Sequence, residues 1–498
     1  MKKNFLLFIF VPIALFAQPK MELRAVWLTT AFGLDWPKSN DKVVQQQEII
    51  NILDKLKEAN FNTVMLQVRA RGDLIYPSSY EPWAKVLTGQ LGENPGYDPL
   101  KFIITEAHKK GIEIQAWMNV YKVYGKGYPK ETKPEHVILK FPNLCSIYHN
   151  EWWMDPGNPQ TQSYLLKVFM ELIRNYDIDG IHLDYLRYPN KDFNDKVTYA
   201  EFGKGENKSD WRRNNITRFV EALYDSIQSV KPMIKLGCAP IGIYKNTLKF
   251  RGWEAYNDIY QDPVRWIKDR KMDYISPQTY WSIGSAPHFN LVVKDWEKII
   301  DGRSIYPGIA LYKLGKYYEG WPASEILTQV DVLRALDIKG EVFFRAEDLV
   351  NNNKNILSLI KQEKYTYPAD IPPMPWKDDI KPLAPKDLTS FQLTNDYLEL
   401  FWTNPGKAVD GDTAKYYNIY ASRKFPVNTS DPKNFLVYRL SGTGDMVTLD
   451  ISSMSEGKYY AVITTLDKGN NESVPSNTIV FKIEAENKAV TIAKGQTE

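Results

Sequence analysis

A (β/α)8 barrel followed by a small all-β module is the fold class predicted for this 498-residue chain. Three observations predict it. Eight short apolar runs alternate with helical stretches across about 350 residues. No Gly-rich phosphate turn follows any of the runs, which disfavours the competing doubly wound open sheet. Prolines at 368, 372, 373, 375, 382 and 385 then break the pattern, and short alternating strands replace it.

Taken in order, residues 1–17 read as a secretory signal: Lys2 and Lys3, an apolar run from Phe5 to Phe16, and Ala17-Gln18 as the cleavage point. The run is too short to span a bilayer and is interrupted by Pro12. No cysteine stands near the cleavage point, so lipid attachment there is not expected. The mature chain is expected to be exported, periplasmic or secreted, with no integral membrane segment once the signal is removed. The barrel is assigned to residues 21–365. Its strands are expected at 23–29, 63–69, 113–119, 180–184, 235–240, 274–278, 305–310 and 341–344. Helical patterns fall between them at 43–59, 99–110, 164–176, 211–230, 264–270, 290–300 and 324–336. Residues 366–385 form a Pro-rich linker expected to make few contacts. Residues 386–485, with Trp402, Tyr420 and the run YYAVITTLDKGNNESVPSN, resemble a fibronectin type III sandwich.

Composition narrows the function. A net charge of +3 excludes a nucleic-acid partner recognised by bulk electrostatics. Aromatic content of 13%, with 14 Trp and 31 Tyr, suits a carbohydrate, because sugar rings stack their C–H faces on aromatic rings. Cys145 and Cys238 are too few for a disulfide framework, and whether they pair stays open. Metal-binding HExxH or CxxC spacing, a GxSxG elbow and a P-loop are all missing, so no cofactor or metal is expected. Hydrolysis by carboxylates is the natural remaining chemistry.

The stretch DGIHLDYLRYP, 179–189, is the strongest site candidate. Asp184 ends a buried strand there, with His182 two residues before it and Arg187 and Tyr188 after it. A charge at that end is presented to a substrate, since barrel enzymes carry their sites on the loops after the strands. The same reasoning selects Asp35 and Trp36 after strand one, and Gln67, Arg69, Asp73 and Glu81 at and after strand two. It adds Trp117 and Asn119 on strand three, and Gln278, Tyr280 and Trp281 after strand six. Trp36, Trp117, Tyr280 and Trp281 would stack on sugars; Gln67, Asn119 and Gln278 would bond hydroxyls. Asp155, in DPGNP, is a second acid candidate or the N-cap of the next helix.

The runs ELRAVWLTT, FNTVMLQVRARGDLIYPSSYEPWAKVLTG, NPGYDPLKFIITEAHKKGIEIQAWMN, DPGNP, DGIHLDYLRYP, DWRRNN, APIGIYKN, DYISPQTYW and YPGIALY resemble the glycosyl-hydrolase-like family 10 proteins. The resemblance covers residues 21 to 350. It implies an exported bacterial barrel, assigned to glycoside hydrolysis and related to proteins acting on peptidoglycan glycan strands; the partner would be a polysaccharide or glycan strand. Glycoside hydrolysis uses two carboxyls. Asp184 is taken as one, with Arg187 or Arg69 expected to lower its pKa so that it serves as nucleophile. The other stays open among Asp155, Glu81, Asp73, Asp258 and Asp262. The alternative from another class is a glycan-binding barrel without turnover. A metal-dependent deacetylase lacks a site.

Overall fold

The computed structural model describes residues 18–484 apart from 395 and 443. The expected signal, 1–17, and the last residue of the expected module lie outside the described residues.

Eight parallel strands form the barrel: β1 Leu23–Leu28, β2 Thr63–Arg69, β3 Glu113–Asn119, β4 Gly180–Asp184, β5 Lys235–Cys238, β6 Tyr274–Ile275, β7 in two pieces, Ser304–Ile305 and Gly308–Ala310, and β8 Gly340–Phe344. Strands β2 and β3 are buried at every position, as expected where helices cover a sheet's outside and side chains fill its inside. Proline 307 divides β7, because it has no N–H to give the ladder. Around the break, Gly308 N–H donates to Pro277 O at 2.8 Å on one side, and Val342 N–H donates to Pro307 O at 3.1 Å on the other. With β8 paired to β1, the ring closes. The same chemistry interrupts β6, read as 274–278: Pro277 has no N–H to give, and beyond it the pairing continues only as a bridge between Ile241 and Gln278.

The helices start where cap residues and prolines set them. In α1, Lys42–Glu58, Asp41 accepts from the N–H groups of Val43 and Val44. In α2, Pro99–Lys109, Asp98 caps and Pro99 occupies the first turn. In α3, Pro159–Asn175, the cap is Asn158, which corrects the alternative reading of Asp155. Helix α3 packs against α4, Lys208–Val230.

Inside the ring a polar chain crosses the core. The indole N–H of Trp27 donates to His182 Nε2 at 2.9 Å, so the ring proton sits on Nδ1 and is given to Tyr274 Oη at 2.9 Å. Tyr274 in turn donates to Gln115. Gly237 makes room: a Cβ there would stand 2.0 Å from the Tyr274 ring.

The linker expectation is wrong. Ile371 and Met374 are buried with Leu23, Ala25, Trp27 and Met65, and plug the ring from its amino-terminal end. Trp376 Nε1 donates to Asp273 at 2.9 Å, and Lys377 pairs with the same carboxylate at 3.0 Å. Prolines fix the backbone direction without excluding apolar side chains between them; Ile371 and Met374 supply that burial.

Seven antiparallel strands follow: β9 Lys386–Gln392, β10 Tyr397–Thr403, β11 Tyr416–Ser422, β12 Phe435–Ser441, β13 Met446–Asp450, β14 Gly457–Leu466 and β15 Ile479–Ile483. They make a sheet β9-β10-β13 and a sheet β12-β11-β14-β15. Leu398, Leu400, Trp402, Ile419, Ile463 and Phe481 share one core between the sheets. This unit docks on the barrel's amino-terminal end. Asn470 Nδ2 donates to Glu113 Oε1 at 3.0 Å, Arg439 donates to Asn470 Oδ1 at 2.7 Å, and Lys415 pairs with Asp179. Gly111, at φ +69°, leaves space for the Arg439 side chain, which a Cβ would meet at 2.6 Å.

Candidate active site

A cleft of about 430 Å³ opens at the carboxyl ends of the barrel strands. Gln67, Trp117, Asn119, Asp184, Gln278 and Tyr280 line it, each at or just after a strand end. Asp184 ends β4 within that lining. Burial pushes its carboxyl up to about 6, against the N–H of Tyr185, which donates to Oδ1 at 2.7 Å, and the charge of Arg187. The expectation that an arginine would keep this group low is therefore overturned: desolvation outweighs the charge. Tyr185 holds φ +49°, a conformation bulky residues rarely adopt.

Neighbouring groups supply surfaces rather than ties. Gln67 accepts from the Thr30 and Ala31 N–H groups at 3.1 and 2.9 Å, which fixes its carbonyl. Asn119 donates to Ala70 O at 2.7 Å and accepts from the Trp117 indole at 3.1 Å. Among the described residues no hydrogen-bond partner reaches the side-chain amide of Gln278, which lines the cleft. Arg187 lies over Trp153, Tyr185 and Trp253, with its guanidinium 4.9 to 5.1 Å from each ring.

Four participants, Glu151, Lys122, Phe32 and Trp253, escaped the sequence reading. Glu151 and Lys122 pair at 2.6 Å on the cleft wall. They belong to a three-stranded antiparallel excursion after β3, Lys122–Tyr124, Cys145–Tyr148 and Glu151–Met154, which periodicity does not separate from loop. Phe32, 74% exposed, and Trp253, 47% exposed, stand at the mouth as open aromatic faces. Solvent-facing aromatics in loops were the available signal. Arg71 lines the cleft as well, stacked over Phe32 at 4.1 Å. A second hollow of about 740 Å³ continues past Phe32 and Arg71, and Asp73 lines it, accepting from the Arg71 N–H at 3.0 Å.

Several candidates do not reach the cleft. Arg69 and Glu81 form a buried two-point ion pair, with Arg69 also donating to the Asn119 and Val120 carbonyls. Both are consumed in holding β2 against β3. Asp155 accepts from the Gly157 N–H at 2.8 Å and Thr198 Oγ1 at 2.6 Å, fixing the turn before α3. Asp35 binds Thr29 N–H at 2.7 Å and Arg345, tying β1 to β8. Trp36 is buried with its indole donating to Gln45 O. His182 lies in the ring interior, where burial drives its pKa down to about 3, so it stays neutral. Tyr188 packs under Arg212, 5.0 Å from the guanidinium. Trp281 packs against the core beside Gly242. Asp258 pairs with Lys191 at 2.6 Å, and Asp262 caps the helix Pro263–Lys268. Buried polar residues near strand ends have the same sequence signature whether they face a ligand or each other.

The cleft therefore holds two carboxyls, Asp184 and Glu151, three cations and an aromatic rim, with no histidine or cysteine in its lining. Such a set can move a proton at Asp184, stabilise positive charge with carboxylate oxygen, and stack sugar rings.

The glycosyl hydrolase-like 10 family model matches residues 22–321. Glycosyl hydrolase YngK of Bacillus subtilis (strain 168) is 32% identical over 488 residues, 94% of each chain. Glycosyl hydrolase DigH of Escherichia coli (strain K12) is 34% identical over 379 residues, covering 68% of this chain and 86% of the relative. Among solved structures, the PgaB glycoside hydrolase domain of Bordetella bronchiseptica aligns with a TM-score of 0.49 at 12% identity, over 69% of this chain and 99% of that one.

Proposed function

This chain belongs to the glycosyl hydrolase-like 10 family, and from that premise we propose that it hydrolyses glycosidic bonds in bacterial cell-wall glycan strands. The observation that carries the reading is an aromatic-rimmed cleft at the strand ends whose lining contains two carboxyls, Asp184 and Glu151. Asp184, protonated through much of the acid range, gives its proton to the departing glycosidic oxygen. The general-acid role replaces the nucleophile role expected from sequence, since burial favours the neutral carboxyl. Glu151, in its ion pair with Lys122, acts on the opposite side of the oxocarbenium-like transition state, as base or nucleophile.

Arg71, Lys122 and Arg187 make the walls cationic, which suits strands whose sugars carry carboxylates, as muramic acid does through its lactyl ether. The 1–17 signal supports a location outside the cytoplasm; a mature amino terminus at Gln18, read by mass spectrometry of exported protein, is the expected result.

The test is release of reducing ends from cell-wall glycan strands by wild type, Asp184→Asn and Glu151→Gln. The reading expects turnover by wild type and loss in both variants. Saturable binding by wild type with no released ends would instead make this a glycan-binding barrel.

A further inference from the structure

We infer, resting on the glycan-strand reading above, that Arg71 binds a carboxylate of the strand and that the strand continues past it into the hollow beyond Phe32. Ala31, Phe32, Ala70 and Arg71 line both the cleft and that hollow, so the two spaces meet at these residues. The hollow is the larger, about 740 Å³ against about 430 Å³. A substrate that is a polymer has reason to fill both.

Three cations line the cleft, and two of them have acceptors. Lys122 pairs with Glu151 at 2.6 Å. Arg187 donates to the Tyr188 and Pro189 carbonyls at 3.2 and 3.4 Å. Arg71 is engaged through its backbone alone: its N–H donates to Asp73 Oδ1 at 3.0 Å, and its carbonyl accepts from His136 Nε2 at 2.9 Å. Among the described residues, no acceptor lies within hydrogen-bond or ion-pair reach of its guanidinium.

Two rings hold that guanidinium instead, Phe32 at 4.1 Å and Tyr124 at 5.5 Å from its central carbon. Stacking on rings sets the plane of the group and leaves its N–H edge to a two-oxygen acceptor, which a carboxylate matches. Gly125 keeps the edge open. Its φ lies outside the left-handed region, so the backbone does not call for glycine there, but a Cβ would stand 3.0 Å from Arg71 Nη2. Beyond Arg71 the hollow offers what sugar rings take: the faces of Phe32 and Tyr124, with Asn40 and Asp73 for hydroxyls.

The full chain carrying Asp184→Asn, so that strands stay intact, is titrated by calorimetry with octasaccharides of alternating N-acetylglucosamine and N-acetylmuramic acid. The strands are used native and with their carboxylates reduced to alcohols. Native strands should bind roughly tenfold more tightly than reduced ones, the scale of one charge-assisted contact. Adding Arg71→Met should abolish that difference, weakening native strands by the same factor and leaving reduced strands within about twofold. Arg71→Lys, which keeps a charge without the two-point fork, should show a smaller preference than wild-type Arg71. A native tetrasaccharide, too short to fill both spaces, should bind several-fold more weakly than the octasaccharide. Melting temperatures check that each variant folds; if Arg71→Met melts early, Arg71→Lys decides, and an undiminished preference there overturns the proposal. Equal binding of native and reduced strands, a preference that survives in folded Arg71→Met, or equal affinity for the two lengths would each overturn it and leave the hydrolase reading standing. No binding of either strand would overturn both.

Discussion

At the amino-terminal end of the strands, Glu113 meets Lys235 at 2.6 Å and Asn470 at 3.0 Å, and Asp179 meets His108 at 2.8 Å as well as Lys415. At the carboxyl end, Asp184 accepts from the Tyr185 N–H at 2.7 Å, and the charge of Arg187, the Trp117 indole and the charge of Lys122 favour its ionised form without overcoming burial. Both ends bury acids in the same barrel. Burial works to raise Asp179, but Lys415 and His108 outweigh it and hold the carboxyl well below its usual range; at Asp184 burial wins. The difference teaches which carboxylates are fastened and which are left able to change protonation. Paired charges hold the plug and module in place, and the underpaired one is available for chemistry.

The largest expected effect breaks the open end. Asp184→Asn should lower kcat about 10³-fold, the scale of removing a general acid, with KM little changed. Its Tm should equal or exceed that of wild type, because a carboxyl raised by burial gains nothing in stability from ionising. A mutant that melts early yet turns over normally would reverse the two roles. Next comes the closed end. Glu113→Gln leaves Lys235 without its buried partner, and a broken buried pair costs about 3–5 kcal/mol; chemical denaturation should register that loss while kcat per folded molecule holds. Equal stability would show that the lower ion pairs are not what fastens the module.

A pH profile sharpens the contrast. Asp184, raised above its unfolded value, adds stability that is lost as pH rises toward about 6, and activity should fall over the same limb as the acid loses its proton. Asp179, lowered, adds stability that is lost only as pH falls below the ordinary carboxylate range. Activity that climbs through pH 6 and stays level would make Asp184 a base or nucleophile instead. The smallest effect is Gln278→Ala. One neutral hydrogen bond is worth about 0.5–1.5 kcal/mol, so KM should rise a few-fold with kcat nearly kept; unchanged affinity would remove this amide from substrate contact.

Barrel strands are legible in sequence because strands covered on both sides read as unbroken apolar runs, and β2, β3 and β4 carry the expected bounds. Site residues on those strands, Gln67, Trp117, Asn119 and Asp184, follow from the same reading. Glu151 and Trp253 do not, since they reach the cleft through excursions whose path is set by tertiary packing. Arg69 and Glu81 mislead for the opposite reason: a salt bridge inside the wall looks, letter by letter, like a pair waiting for a ligand.

The plugged floor also has a consequence in time. Glu113 waits for Asn470, 357 positions later. At synthesis rates of about 5–20 residues per second, roughly 20–70 seconds separate the two. Until then the ring's lower rim has no lid, its acids face water, and Ile371 and Met374 have only just arrived to fill the bore. A chain halted after Phe344 and before Asn470 would hold every cleft residue above an unfinished base, so completion of the last strands is the event that turns a loose ring into a finished molecule.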